Sequence, residues 1–334
     1  MTKKDTKKNR KTKKIFLAIL MILFTGVVLS ASTYAWFTAN RTVTVNQVDV
    51  NVAAENGLQL SVDGTNWKPA ITNEDITGAS ANYTAAVNQL PTGSIVPVST
   101  VGEVDPATGF MNMYAGSIDT NVDHYIVTAN KSTETNTTSS GSFVAFDLFF
   151  RTTAATTIYM TDNSAVTAKS GPLGLQNAAR VAFVTQGNTT VGDTLPNIQG
   201  LKATTNDAVK IWEPNYDVHT EAAVNNARDN YGISTTTTGG SRLTYVGVKA
   251  PIPSSADTRL NSTSNTYFGA VTPAYATVAT GIPNTAYLEF ANLSAGITKI
   301  RIYMWVEGQD VDCENNASGS SISFNLQFSM NDKA

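Results

Sequence analysis

The chain of 334 residues has a single cysteine, Cys313, and only two histidines, His124 and His219. One cysteine excludes any intrachain disulfide, so stability has to come from packing or assembly. Cys313 is read as a partly buried loop thiol, with an intermolecular crosslink as the alternative. The catalytic inventory is equally thin. No His-Glu-x-x-His, Gly-x-Ser-x-Gly or Walker loop occurs, which removes the common hydrolase, zinc-protease and nucleotide-binding signatures. Charged residues make up only 15% of the chain, and after residue 35 there are 15 Lys+Arg against 25 Asp+Glu, a net charge of −10. A surface of that sign repels nucleic acid and anionic lipid, so neither is expected as a partner. A second long hydrophobic run is also lacking. The last residues, Asn331-Asp332-Lys333-Ala334, carry no apolar, basic sorting tail.

What is present begins with Lys3 to Lys14, a segment holding eight of the 23 basic residues, followed by the 17-residue apolar run Ile15 to Ala31. A cationic segment, an apolar core and small residues after it form an export signal. Residues 1–35 are read as a signal peptide cut after Ala35, with Thr33 at −3, Tyr34 between them and Trp36 as the new N-terminus. The alternative is an uncut signal anchor, the chain's only contact with a membrane.

Beyond the signal, Thr, Ser, Asn, Val and Ala dominate and apolar residues recur with period two, which predicts an all-β fold. The expected architecture is an antiparallel β-sandwich or jelly roll with long loops and one short helix. Ile322, Phe324, Leu326 and Phe328 alternate with polar residues, as do Ile300, Ile302, Met304 and Val306. The two runs are expected to pair across the 308–319 loop. Phe143 to Arg151 is apolar at nearly every position and reads as a central strand. Further strands are expected at Thr157–Met160, Arg180–Val184, Thr244–Val248 and Tyr287–Phe290, and helices at Glu221–Tyr231, closed by Gly232, and Leu173–Ala179. Leu58 to Trp67, with Asp63-Gly64, suggests a tight hairpin. Residues 132–142 and 234–241 read as exposed polar loops, and 186–256 as an insertion in a domain spanning 53–334.

Two candidate sites remain. Val43 and Val45, then Val48, Val50 and Val52, form one apolar face whose register shifts at Asn46-Gln47 as in a β-bulge. Residues 36–52 are thus a terminal strand able to pair within its own sheet or in that of a neighbour. Glu307, Asp310 and Asp312 set carboxylates in a Gly-containing turn, read as a solvated turn or, alternatively, a Ca²⁺ site. His124 and His219 read as structural histidines.

The block from Lys13-Lys14 to Thr33-Tyr34-Ala35-Trp36-Phe37-Thr38 resembles the signal peptides of Firmicutes proteins matured by a SipW-type peptidase, the class of the biofilm-matrix protein TasA and of camelysin. Ser32 stands where that pattern has Gly. The stretches LQLSVDGTNW (58–67), RVAFV (180–184), KIWEPN (210–215) and YMWVEGQDVDC (303–313) are similar to surface proteins of the same bacteria. The resemblance implies a secreted, non-enzymatic fibre subunit at a Gram-positive cell surface whose partners are copies of itself. It also implies that the 43–52 strand inserts into the next subunit. Two other functions stay open, a monomeric adhesin for glycan or host protein, and a camelysin-like metalloprotease for which no zinc-ligand set is visible.

Overall fold

The structure is a computed structural model that describes residues 45–55, 57–121, 124–135, 141–171, 174–231, 234–238, 246–253, 266–271, 275–276, 282, 286–313 and 318–332. The cleavage residues Thr33, Tyr34, Ala35 and Trp36 lie outside the described residues, as do Val43 and Gly232. Among the described residues no helix is long and apolar enough to cross a membrane.

The fold is an all-β sandwich. Its first sheet runs in the order β17 (Leu288–Leu293), β10 (Thr156–Met160), β19 (Ser320–Ser329), β1 (Val45–Ala54) and β3 (Ala70–Ile71), with β11 (Ala165–Ser170) also on β19. In β19 the expected alternation is present: Ile322, Phe324, Leu326 and Phe328 are buried while Asn325 and Gln327 reach the surface layer. β1 runs parallel to β19, setting Val50 opposite Phe324 and Val52 opposite Leu326, with a register shift between Val45 and Gln47. The bulge expected at Asn46-Gln47 is therefore present in the backbone.

The second sheet has the order β16 (Tyr275–Ala276), β13 (Val209–Glu213), β12 (Ala179–Thr189), β18 (Gly296–Val306), β9 (Val144–Thr152) and β2 (Gln59–Ser61). Every residue of β18 is buried. Ile300, Ile302, Met304 and Val306 join the core shared with the first sheet. The opposite face, with Tyr303 and Trp305, packs on Val98, Met111 and Met113 beneath a third sheet of β4 (Val98–Ser99), β7 (Met113–Asn121) and β8 (His124–Ser132). The pairs β5 (Val104–Asp105) with β6 (Phe110–Met111) and β14 (Val246–Val248) with β15 (Phe268–Ala270) complete the strands among the described residues.

The expected pairing of 299–306 with 322–329 is overturned. β18 is filled on both edges by β12 and β9, and β19 by β1, β10 and β11, so the two runs face each other across the core instead of sharing a sheet. Phe150, Phe183, Phe290 and Phe328 meet at that interface, with ring centroids 4.8 Å apart for Phe183–Phe290 and 5.2 Å for Phe150–Phe328. The pairings also include two parallel ones, β1–β19 and β13–β16. Residues 186–256 contribute β13 to the second sheet, so this stretch is interleaved with the sandwich.

Among the described residues three short α-helices decorate the strands: α1 (Asn73–Gly78), capped reciprocally by Thr72 and Asp75, α2 (Leu195–Gln199) and α3 (Glu221–Tyr231). Of the helix expected at Leu173–Ala179, Leu173 lies outside the described residues and 174–178 form instead a turn, closed by the Asn177 N–H donating to the Gly174 carbonyl at 2.8 Å, that feeds β12.

The Asp63-Gly64 turn is wider than a two-residue hairpin, since Leu60 and Lys68 exchange both backbone hydrogen bonds around it. Gly64 has φ +76°, as that turn chemistry requires. Burial alone would raise the Asp63 pKa. The N–H groups of Asn66 and Thr65, the Ser61 hydroxyl and the Asn66 amide donate to its carboxylate and bring it down to about 2. A depressed carboxylate stabilises the fold above its unfolded pKa, and that contribution is lost as pH falls towards 2. Asp63→Asn is expected to cost about 1 kcal/mol at pH 7, after allowing for solvent screening. It should also flatten the loss of stability between roughly pH 4 and 2 in urea titrations; an unchanged acid limb would refute the assignment.

Candidate functional site

β1 is held into the first sheet along both edges at its C-terminal half. The Ala54 N–H donates to the Pro69 carbonyl at 2.7 Å, Glu55 N–H to Phe328 at 2.9 Å, and Val50 N–H to the Asn73 side chain at 3.2 Å. On the outer face the Asn51 amide donates to Asn325 Oδ1 at 3.1 Å. Val50 and Val52 are both 1% exposed and sit in the main core. Burying each contributes about 1.5–3 kcal/mol. Val45 and Val48 lie in the same strand, opposite Ser320 and Ile322 by backbone register. Four of the five valines read from the sequence as an assembly strand therefore fall in one strand, placed here within its own chain's sheet. Beside it an open groove of about 300 Å³ is lined by Asn51, Thr72, Asn163, Asn325 and Gln327 with Val52 at its floor.

No protein family, curated protein or solved structure matches this chain. Its function has to be argued from the residues.

The acidic loop after β18 is not a solvated turn. Glu307 and Asp312 are fully buried and Asp310 nearly so. Arg180, on β12, pairs with Asp310 and, at 3.0 Å, with Glu213. His219 Nδ1 lies 2.7 Å from Asp312 Oδ2, while the Thr220 N–H donates to Asp312 Oδ1 at 2.8 Å. Glu307 accepts from Trp305 Nε1 at 3.0 Å, yet burial pushes its pKa up to about 7. Burial and the Asp310, Glu307 and Asp312 carboxylates push the Cys313 thiol well up, so this 1% exposed side chain stays protonated and unreactive. Ca²⁺ coordination by Glu307, Asp310 and Asp312 together finds no support. Glu307 is committed to Trp305 and the Gln309 N–H, whereas the ligand-like group is His219, Asp310 and Asp312. Residue types alone could not bring Arg180 and His219 to this loop, because they lie 130 and 93 positions away from the aspartates they meet.

A second buried charge cluster escaped the sequence reading altogether. Arg301 is fully buried and binds Glu134, Asp147 (2.9 Å) and the Val87 carbonyl. Lys299 stands 3.1 Å from Asp147 and donates to the Tyr83 hydroxyl at 3.0 Å. Glu134 belongs to the Ser/Thr-rich stretch 132–142 expected to be an exposed loop, but its carboxylate is 3% exposed and also accepts from the Tyr303 hydroxyl. Burial raises the Glu134 pKa despite Arg301. For Asp147 the order reverses, and attraction to Arg301 and Lys299 overcomes burial to hold its pKa down. This network locks segments 83–88 and 134 onto the central sheet and presents no surface to a ligand.

Proposed function

We propose that the chain is a non-enzymatic subunit of an extracellular surface or biofilm-matrix fibre, exported from a Gram-positive cell and matured by a SipW-type peptidase. In the fibre, β1 of one copy completes the first sheet of the next. The observation that carries this reading is β1 itself. It is the first described strand and is bound laterally to β19 and β3. A strand whose valine alternation sets its register exchanges between copies without new contacts having to be invented. The partners are copies of this chain, with matrix or host surface components as further attachments. A −10 charge keeps the exported subunit soluble before assembly.

The test is negative-stain microscopy of protein starting at Trp36. Filaments are expected, and protein that stays monomeric under every condition preserving its fold would sink the proposal. The amide-lined groove beside β1 favours, as a second reading, a monomeric adhesin whose Asn and Gln side chains take sugar hydroxyls. Glycan binding by a stable monomer would support that instead. A camelysin-like protease is disfavoured because the His219 group is buried beyond the reach of a peptide.

A further inference from the structure

Exchange of β1 reproduces its contacts with β19, β3 and the core, so the choice between keeping the strand and lending it rests on whatever differs between the two states. Among the described residues the segment that differs is the turn joining β1 to β2, and it is short. On its first side, the Glu55 N–H donates to the Phe328 carbonyl at 2.9 Å and the Glu55 carboxylate accepts from Gln327 Nε2 at 2.9 Å. Glu55 therefore belongs to the sheet that β1 joins. On the other side, Leu58 is 2% exposed in the main core and leads directly into β2 of the second sheet. Only Asn56 and Gly57 separate the two. Within one copy the turn closes when the Leu58 N–H donates to the Glu55 carbonyl at 3.2 Å, with Gly57 at φ +82°. A Cβ at position 57 would meet Met330 Cε at 3.9 Å, an ordinary contact, so the backbone angle and not space calls for glycine there.

We propose that the turn from β1 to β2 is the hinge of the exchange, that Gly57 sets its balance, and that neighbouring copies abut at this turn; the inference rests on the fibre reading above. When β1 lies in a neighbour's sheet, Glu55 is held by that neighbour and Leu58 by its own body. The three-residue step between their Cα atoms reaches at most roughly 11 Å, so the two bodies touch where the chain crosses instead of hanging on a loose linker. Bodies packed on either side pull that step straight, and an extended residue 57 no longer needs positive φ. Left-handed backbone strains a side chain that bears a Cβ, most of all a β-branched one, whereas extended backbone suits it. Gly57→Val therefore penalises the closed turn alone and shifts the balance towards exchange by a factor of roughly 5 to 30. Asparagine tolerates the left-handed region, so Gly57→Asn leaves the balance close to that of the wild type.

The experiment compares the chain from Trp36 with its Gly57→Val, Gly57→Ala and Gly57→Asn variants, equilibrated over a dilution series. Each also carries Asn51→Cys/Asn325→Cys, at positions that face each other across β1 and β19, so that oxidation joins every β1 to whichever chain holds it. The quantity read on a non-reducing gel is the protein concentration at which half of the chains are joined to another chain. It is expected to fall roughly 5- to 30-fold in Gly57→Val, by less in Gly57→Ala, and to stay with the unsubstituted glycine in Gly57→Asn. Equal midpoints in all four proteins would overturn the hinge and leave the fibre reading standing, as would Gly57→Asn moving as far as Gly57→Val. Exchange in Gly57→Val but not with Gly57 in place would overturn the fibre reading and keep the hinge. Folded chains joined only within themselves at every concentration, in all four, would overturn both.

Discussion

The double variant Asn51→Cys/Asn325→Cys, oxidised after assembly, is expected to run on a non-reducing gel as a ladder of covalently joined chains. Asn51 and Asn325 are directly opposite in the parallel β1–β19 pairing and their side chains already touch at 3.1 Å. Neighbouring strands lie about 4.8 Å apart, inside the Cα separation that a disulfide tolerates. The contact is the same whether β1 comes from its own chain or from a neighbour, so only the identity of the joined chains distinguishes the two states. Cys313 does not interfere, being 1% exposed with a thiol held protonated by its acidic surroundings. Exchange converts nearly all of the monomer band into multimers that dissolve on reduction. A single, faster-migrating monomer band would mean that β1 stays in its own sheet, and strand exchange would be refuted even if filaments exist. Asn51→Cys alone should give no ladder, because its partner Asn325 has no thiol.

What could be read from the chain, and what could not, divides along a physical line. Alternation in Ile322 to Phe328 reports a strand with one wet face, and the apolar run Phe143 to Arg151 reports one with none; both are local properties, and both strands are present. The bulge at Asn46-Gln47 is equally local. Partner choice is not local: β18 and β19 carry patterns that suit a hairpin, but each strand's edges are taken by others from distant parts of the chain. Lys299 and Arg301 look solvent-facing by type. They are buried because Asp147 and Glu134, more than 150 positions away, neutralise them and their charged heads lie over aromatic rings, Arg301 Cζ standing 4.2 Å from the Phe110 ring centre. The acidic turn 307–312 is misjudged for the same reason, since Arg180 and His219 meet it only in the fold.

Removing Arg301 is expected to have the largest effect on stability. Arg301→Met keeps the side chain's length and apolar stem but strips the guanidinium from Glu134 and Asp147, each of which is buried. Breaking one side of a buried ion pair costs about 3–5 kcal/mol, because the abandoned charge is left desolvated. Lys299 stays beside Asp147 at 3.1 Å, so the cost falls mainly on Glu134, which then takes up a proton at neutral pH to escape it. Thermal unfolding should show a melting temperature lower by roughly 10 °C. Glu134→Gln is the informative contrast. Its amide oxygen still accepts from Arg301, and no carboxylate is left without a partner, so its loss should be nearer 1–2 kcal/mol. Equal losses in the two variants would locate the penalty in packing around Phe110 and Tyr303, not in the charges, and an Arg301→Met protein that melts with the wild type would show that the network contributes nothing to the fold.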